Sequence, residues 1–282
     1  MSINRRELLE LLAAGAVSSV MGWRRATAVP PTATISSTPT RQYAGTDLSG
    51  WEVALGDALH ACSGEPPVTL ADIETIHYGA RSELSANIAP RKIMAHNITF
   101  KRFIDDMAFH YTHICGYKFR LPYLPQPDAG AALNGQTIEG GLFIWDGITE
   151  KLDRGIAFQW LVNPWTANVL NIWDGAAWIA VGSLALDTAW HEVTMAVDYQ
   201  RELTALKIDG LPIPVSFSRT AKVGWDDNIA ARLQAEIISV DISGSCNVQA
   251  THKAEFKDWY WYWEPDGSCQ TFLPLVTHGG GK

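Results

Sequence analysis

From His191 to Asp198 apolar and polar residues alternate. Val193, Met195 and Val197 fall on one face of an extended segment, and Glu192, Thr194 and Asp198 fall on the other. The polar stretch Tyr199-Gln200-Arg201-Glu202 turns the chain into a second segment, Leu203 to Ile208, and Asp209-Gly210 opens the next turn. This pattern predicts a β-hairpin, with His191 on the apolar face near the core edge.

Similar signals fill the chain from residue 93 onward. Ile98 to Phe103, Ala108 to Arg120, Gly140 to Asp146, Ile156 to Asn163, Val169 to Trp173 and Trp178 to Val181 read as strands. So do Pro214 to Phe217, Ala231 to Ile242 and Ala254 to Glu264. Asn134-Gly135, Asp146-Gly147, Asp174-Gly175 and Asp266-Gly267 are expected turns. Order is expected to begin near Asp47-Leu48-Ser49-Gly50-Trp51, and Leu70 to Ile76 fits either a short helix or a strand. No internal repeat is evident beyond the tripeptide Trp-Asp-Gly at Trp145 and Trp173. Many short strands with Gly turns predict an all-β antiparallel sandwich or barrel.

Trp190-His191-x-Val193, followed by Leu206-x-Ile208-Asp209-Gly210, resembles the laminin G and concanavalin A-like lectin/glucanase superfamily. That resemblance implies a jelly-roll β-sandwich with one concave sheet, and a role in binding or cutting sugars outside the cell. Arg81-Ser82-Glu83-Leu84 looks like the R-S-E-L motif of jelly-roll polysaccharide lyases of the alginate-lyase type. Such enzymes neutralise a uronate carboxylate, remove the adjacent proton and protonate the leaving oxygen. The resemblance implies Arg81, Glu83 and Gln159 as catalytic candidates. It departs from the family where Leu161 stands in place of the His of a Q-x-H strand, and no copy of the Tyr-bearing strand motif is found.

Composition narrows the classes. The 282 residues are 47% hydrophobic and 18% charged, enough apolar content for a large core. The net charge of −8 argues against nucleic acid, whose affinity rests on Lys and Arg neutralising phosphates. Asn4-Arg5-Arg6-Glu7-Leu8-Leu9 resembles a twin-arginine export signal. It precedes a short apolar run from Leu11 to Met21 and an Ala26-Thr27-Ala28 cleavage site. The expected organisation is a signal peptide over residues 1–28, a Pro/Thr/Ser-rich linker over 29–45 and one sandwich domain over 46–282. The mature protein is then periplasmic or extracellular, with no membrane segment. Four Cys in an exported chain allow two disulfides, with Cys246–Cys269 and Cys62–Cys115 as the expected pairs.

Twelve Trp make stacking on sugar rings the leading chemistry. Trp145, Asp146, Trp165, Trp173, Asp174 and Trp178 lie near turns and are the candidate ligand contacts. On the last strand, strict alternation sends Glu255, Lys257, Trp259, Trp261 and Trp263 one way. Phe256, Asp258, Tyr260, Tyr262 and Glu264 then go the other way, and core packing competes with ligand stacking as the use of these rings. The E-x-D-x-E string of retaining glucanases is absent, and Glu139, Asp146, Glu150 and Asp153 are scattered, so hydrolysis ranks below lysis. His113 and Cys115 share a strand face, which reads as a core His and a structural Cys rather than a metal site. No cofactor is expected; Asp146, Asp174, Asp226 and Asp227 are the loop residues that could hold Ca2+. Three functions remain: glycan binding, lysis of uronic-acid polymers, and a protein-binding or structural role.

Overall fold

A computed structural model describes residues 43–56, 64, 66–88, 94–105, 108–124, 134–145, 154–162, 168–219, 230–241 and 250–265. Sheet I is built from β1 (Tyr43–Gly45), β3 (Ile73–His77), β4 (Ser82–Ile88), β6 (Tyr111–Arg120), β11 (His191–Asp198), β12 (Leu203–Ile208), β13 (Leu211–Ile213) and β16 (Ala250–Pro265). Its strands run in the order β13-β12-β11-β6-β16-β4-β3, with β1 also pairing β16. Sheet II is built from β2 (Glu52–Leu55), β5 (Met94–Ile104), β7 (Asn134–Trp145), β8 (Arg154–Val162), β9 (Val169–Trp173), β10 (Trp178–Ser183), β14 (Ser218–Arg219) and β15 (Ala230–Asp241). Its order is β10-β9-β8-β7-β15-β5-β2, with β14 also pairing β8. The pairings are antiparallel, so the chain folds as the expected all-β jelly-roll sandwich.

The period-two pattern decides what lies between the sheets. Sheet I contributes Leu84, Tyr117, Phe119, Val193, Met195, Val197, Phe256 and Trp261 to the core; sheet II contributes Ile138, Leu142, Phe158, Trp160, Leu233 and Ile237. Phe119 meets Phe158 with ring centroids 5.6 Å apart, and the Tyr117 hydroxyl crosses the core to donate to the Gln234 carbonyl at 3.0 Å. Gly140 lies beneath that hydroxyl, where a Cβ would come within 1.8 Å of it. Burial pushes the Tyr117 phenol well above its ordinary value.

The predicted hairpin forms as read. β11 pairs β12 from Val193↔Ile208 to Asp198↔Leu203, and Asp209 and Gly210 both take positive φ, as a tight hairpin turn requires. His191 is buried on the core side, and its Nδ1 lies 2.8 Å from Asp209 Oδ2. Leu70–Asp72 is a single helical turn capped by Thr69, and Ile73–His77 is a strand, so both readings of that segment hold in part.

Several expectations are corrected. Asn134-Gly135 is not a turn; it starts β7, opposite Asp241 and Val240. Pro214 to Phe217 is irregular backbone between β13 and β14, since Pro has no N–H for a ladder. The faces of β16 change phase at a bulge: Asp258 has φ 52°, and register shifts between Lys257 and Tyr260. Phe256 therefore joins Trp259 and Trp261 in the core, with Trp263 packed against it, while Glu255 and Lys257 share the outer face with Tyr260 and Tyr262. Cys115 is a buried free thiol, so the Cys62–Cys115 bridge is not made; Cys62, Cys246 and Cys269 lie outside the described residues. His113 is also a core residue. Its Nε2 donates to the Ala108 carbonyl at 2.8 Å, Trp261 Nε1 donates to its Nδ1 at 3.2 Å, and burial lowers its pKa to about 4. Among the described residues no helix is long and apolar enough to cross a membrane.

Candidate functional site

Each sheet has one face away from the core, and the catalytic trio expected from sequence is divided between them. Arg81 precedes β4 and Glu83 lies within it, on the outer face of sheet I. Arg81 Nε is 2.6 Å from Glu255 Oε1, and Glu255 Oε2 is 2.6 Å from Arg120 Nε. Hydrogen bonding to Glu255 raises the Arg81 pKa further. Glu83 pairs with Lys253 Nζ at 2.7 Å. Gln159 sits on β8, where its neighbours Phe158 and Trp160 point into the core, so its side chain points out of sheet II. The two sheets and the core lie between Gln159 and Arg81, at a sheet separation of about 10 Å. Arg81, Glu83 and Gln159 therefore do not converge.

Gln159 instead belongs to a row of polar groups running across sheet II. Asn171 on β9, Gln159 on β8, Glu139 on β7 and Glu236 on β15 are successive register partners. Asn171 Nδ2 donates to Gln159 Oε1 at 2.8 Å, and Gln159 Nε2 donates to Glu139 Oε1 at 2.6 Å. A second set of bonds converges on Glu236. Gln234 Nε2 donates to Glu236 Oε2 at 2.5 Å, and His96 Nδ1 lies 2.8 Å from Glu236 Oε1. Arg232 donates in turn to Gln234 Oε1, with its guanidinium 4.7 Å from the Phe100 ring centroid. The two sets meet where Glu139 and Glu236 stand directly opposite each other.

Burial separates this row from an ordinary solvated face. Asn171 is 2% exposed, Gln234 3%, Glu236 3% and Gln159 8%. Four strongly polar residues this buried, on the side of the sheet away from the core, make a pre-arranged hydrogen-bonded network. Asn171 Oδ1 is buried and has no hydrogen-bond partner among the described residues. Sugar hydroxyls both donate and accept, matching a row that offers amide N–H, amide oxygen and carboxylate oxygen in turn.

Trp173 and Trp178 flank this row. They are opposed across β9 and β10 on the same face as Asn171, half-buried, with ring centroids 5.5 Å apart in an edge-on arrangement. Asp174 forms the intervening turn: its Oδ1 accepts from Ala176 N at 2.8 Å and Ala177 N at 2.7 Å, and these bonds lower its pKa. The backbone of Trp145 ends β7; Asp146 and Trp165 lie outside the described residues, as do Asp226 and Asp227. Among the described residues no group of three or more His, Cys, Asp or Glu could hold a metal ion.

Sequence reading missed Glu236, Gln234, Asn171 and His96 as a set. One signal was available: Arg232-Leu233-Gln234-Ala235-Glu236-Ile237 alternates polar and apolar with no small turn residue, so it places Arg232, Gln234 and Glu236 on one strand face. Glu139, set aside as scattered, is joined to them by strand register.

No family model matches this sequence, and neither does any curated protein. Among solved structures the chain is similar to arcelin-5, a lectin-like defence protein of Phaseolus vulgaris (7% identity, TM-score 0.44, covering 79% of this chain and 97% of that one). It is also similar to the endo-β-1,4-glucuronan lyase of Trichoderma reesei (12%, 0.42, 79% and 95%) and to a galectin-like protein of unknown function from Bacillus subtilis (10%, 0.41, 76% and 90%). At such identity the likeness extends to the sandwich and no further.

Proposed function

We propose that this protein binds a glycan on the outer face of sheet II. Hydroxyls lie along the row Asn171, Gln159, Glu139 and Glu236, with Trp173 and Trp178 at its β10 end. The single observation that carries this reading is that Asn171, Gln159 and Glu236 are buried, and Glu139 half-buried, on a face turned away from the core. A few fixed polar groups beside aromatic surface are what a sugar site needs: apolar C–H faces rest on rings while hydroxyls are oriented by hydrogen bonds. We further place the protein outside the cytoplasm, on the strength of the Asn4-to-Leu9 motif and the Ala26-Thr27-Ala28 site.

Lysis through Arg81 is the weaker reading, because Arg81 is held by Glu255 on the other face. The test is to pass the protein over immobilised neutral and uronic polysaccharides while following polymer length. Retention on at least one polymer, with polymer length unchanged, is expected. No retention on any of them overturns glycan binding, and shortened chains with new ultraviolet-absorbing ends would make the protein a lyase.

A further inference from the structure

We infer that this protein forms a two-fold dimer by pairing β10 of sheet II with β10 of a second copy, edge to edge. The inference does not depend on the glycan reading. The outermost strands of the sandwich are β13 and β3 in sheet I and β10 and β2 in sheet II. His191 of β11 touches Trp160 of β8, and the hydroxyls of Thr75 on β3 and Thr99 on β5 lie 3.0 Å apart. β13 and β10 therefore share one margin of the sandwich, and β3 and β2 share the other.

The edge strands differ in what they show to another chain. A strand at the end of a sheet turns alternate N–H and C=O groups outward, and charges or Pro on such strands keep other chains from adding to them. β3 carries Glu74, and β2 carries Glu52, which Arg102 holds through bonds of 2.7 and 2.5 Å. β13 carries Pro212, which has no N–H to offer. β10 reads Trp178-Ile179-Ala180-Val181-Gly182-Ser183, with no charge and no Pro, and among the described residues it pairs with β9 alone. Its bulge, between Ala180 and Gly182, leaves Trp178 to Ala180 in unbroken register.

The same margin leaves apolar side chains uncovered. Ile179 stands opposite buried Ile172, and Leu211 opposite buried Ile208, so both point to the side between the sheets. They are nevertheless 43% and 68% exposed. A second copy across a two-fold axis brings two such margins together and continues sheet II through one more antiparallel pair. Charge selects a copy of this chain as the occupant. Each copy carries −8, which keeps copies apart over most of their surface, and β10 brings none of that charge to the contact. An uncharged apolar edge is complementary to itself, as a two-fold contact requires.

Sedimentation equilibrium of the unmodified protein over about 1–100 µM measures the association. The inference expects a dimer with no larger species. It expects association at least about tenfold weaker in Ala180→Lys and in Ile179→Lys, each of which sets two cations against each other at the axis. Two edge variants are used so that the test stands if one fails to fold. Val53→Lys, at an exposed position of β2 on the other margin, is expected to associate as the unmodified protein does. A monomer at every concentration overturns the inference. So does an open series of larger masses, because a two-fold pairing closes on itself. Association that survives in a folded edge variant, or that Val53→Lys weakens as much, overturns it too, since the contact would then lie elsewhere.

Discussion

The two outer faces of this sandwich carry similar residue types and use them differently. On sheet I the carboxylates meet cations: Glu255 with Arg81 and Arg120, Glu83 with Lys253, Asp258 with Lys118 and Lys257. Trp190 is covered by two of those cations, with Arg120 and Lys257 each 4.5 Å from a ring centroid. Such a face satisfies itself. On sheet II, Glu139 and Glu236 face each other; the Gln159 amide donates to Glu139, and the Gln234 amide and the His96 imidazole reach Glu236. Like charges directly opposite on a sheet cost stability, and so does a buried acceptor left without a partner, as Asn171 Oδ1 is among the described residues. The difference teaches where to look for function: on the face that gives up stability, not on the face that carries a recognisable motif.

The comparison can be broken most forcefully on sheet I. Glu255→Ala leaves two guanidinium groups without their shared carboxylate, and urea unfolding should show a loss of about 2 kcal/mol with glycan binding retained. A comparable loss of glycan affinity in that variant would mean the faces are not independent.

Acid should come next, acting through two histidines of the interior. His113 and His252 lie between the sheets, and burial lowers each pKa to about 4, below the ordinary 6.5. The unfolded chain then binds protons more readily than the folded one. The stability these residues contribute is full above pH 6.5 and is lost as pH falls from 6.5 toward 4. Denaturation midpoints across that window should fall equally in the unmodified protein and in Glu139→Gln, and fall less in His113→Phe.

The smallest effect sharpens the comparison from the sheet II side. Glu139→Gln removes the facing charge and keeps an oxygen for Gln159, so urea stability should rise by roughly 0.2–1 kcal/mol. A drop of that size or more would mean that the carboxylate is structural, and the argument from relinquished stability would fail.

The sandwich was legible in the sequence because its strongest signals are local. The alternation of Val193, Met195 and Val197, with Tyr199-Gln200-Arg201-Glu202 at the turn, leaves little choice but a hairpin. The faces of β16 were not legible. An Asp at positive φ is unusual, and nothing in Lys257-Asp258-Trp259 announces the bulge that turns Phe256 inward. The candidate site was half legible. Gln159 was picked out through a resemblance, but grouped with Arg81, because similar sequence words say nothing about which sheet receives them. Asn171, Glu139 and Glu236 become neighbours only through the register of β9-β8-β7-β15, which is settled by long-range packing.

The most direct test of the central claim sets one residue from each face against the other. Titration of an oligosaccharide of the retained polymer into Gln159→Ala and Arg81→Ala should show affinity falling about tenfold or more in Gln159→Ala and staying unchanged in Arg81→Ala. Affinity lost in Arg81→Ala but kept in Gln159→Ala would place the glycan on sheet I and contradict the account.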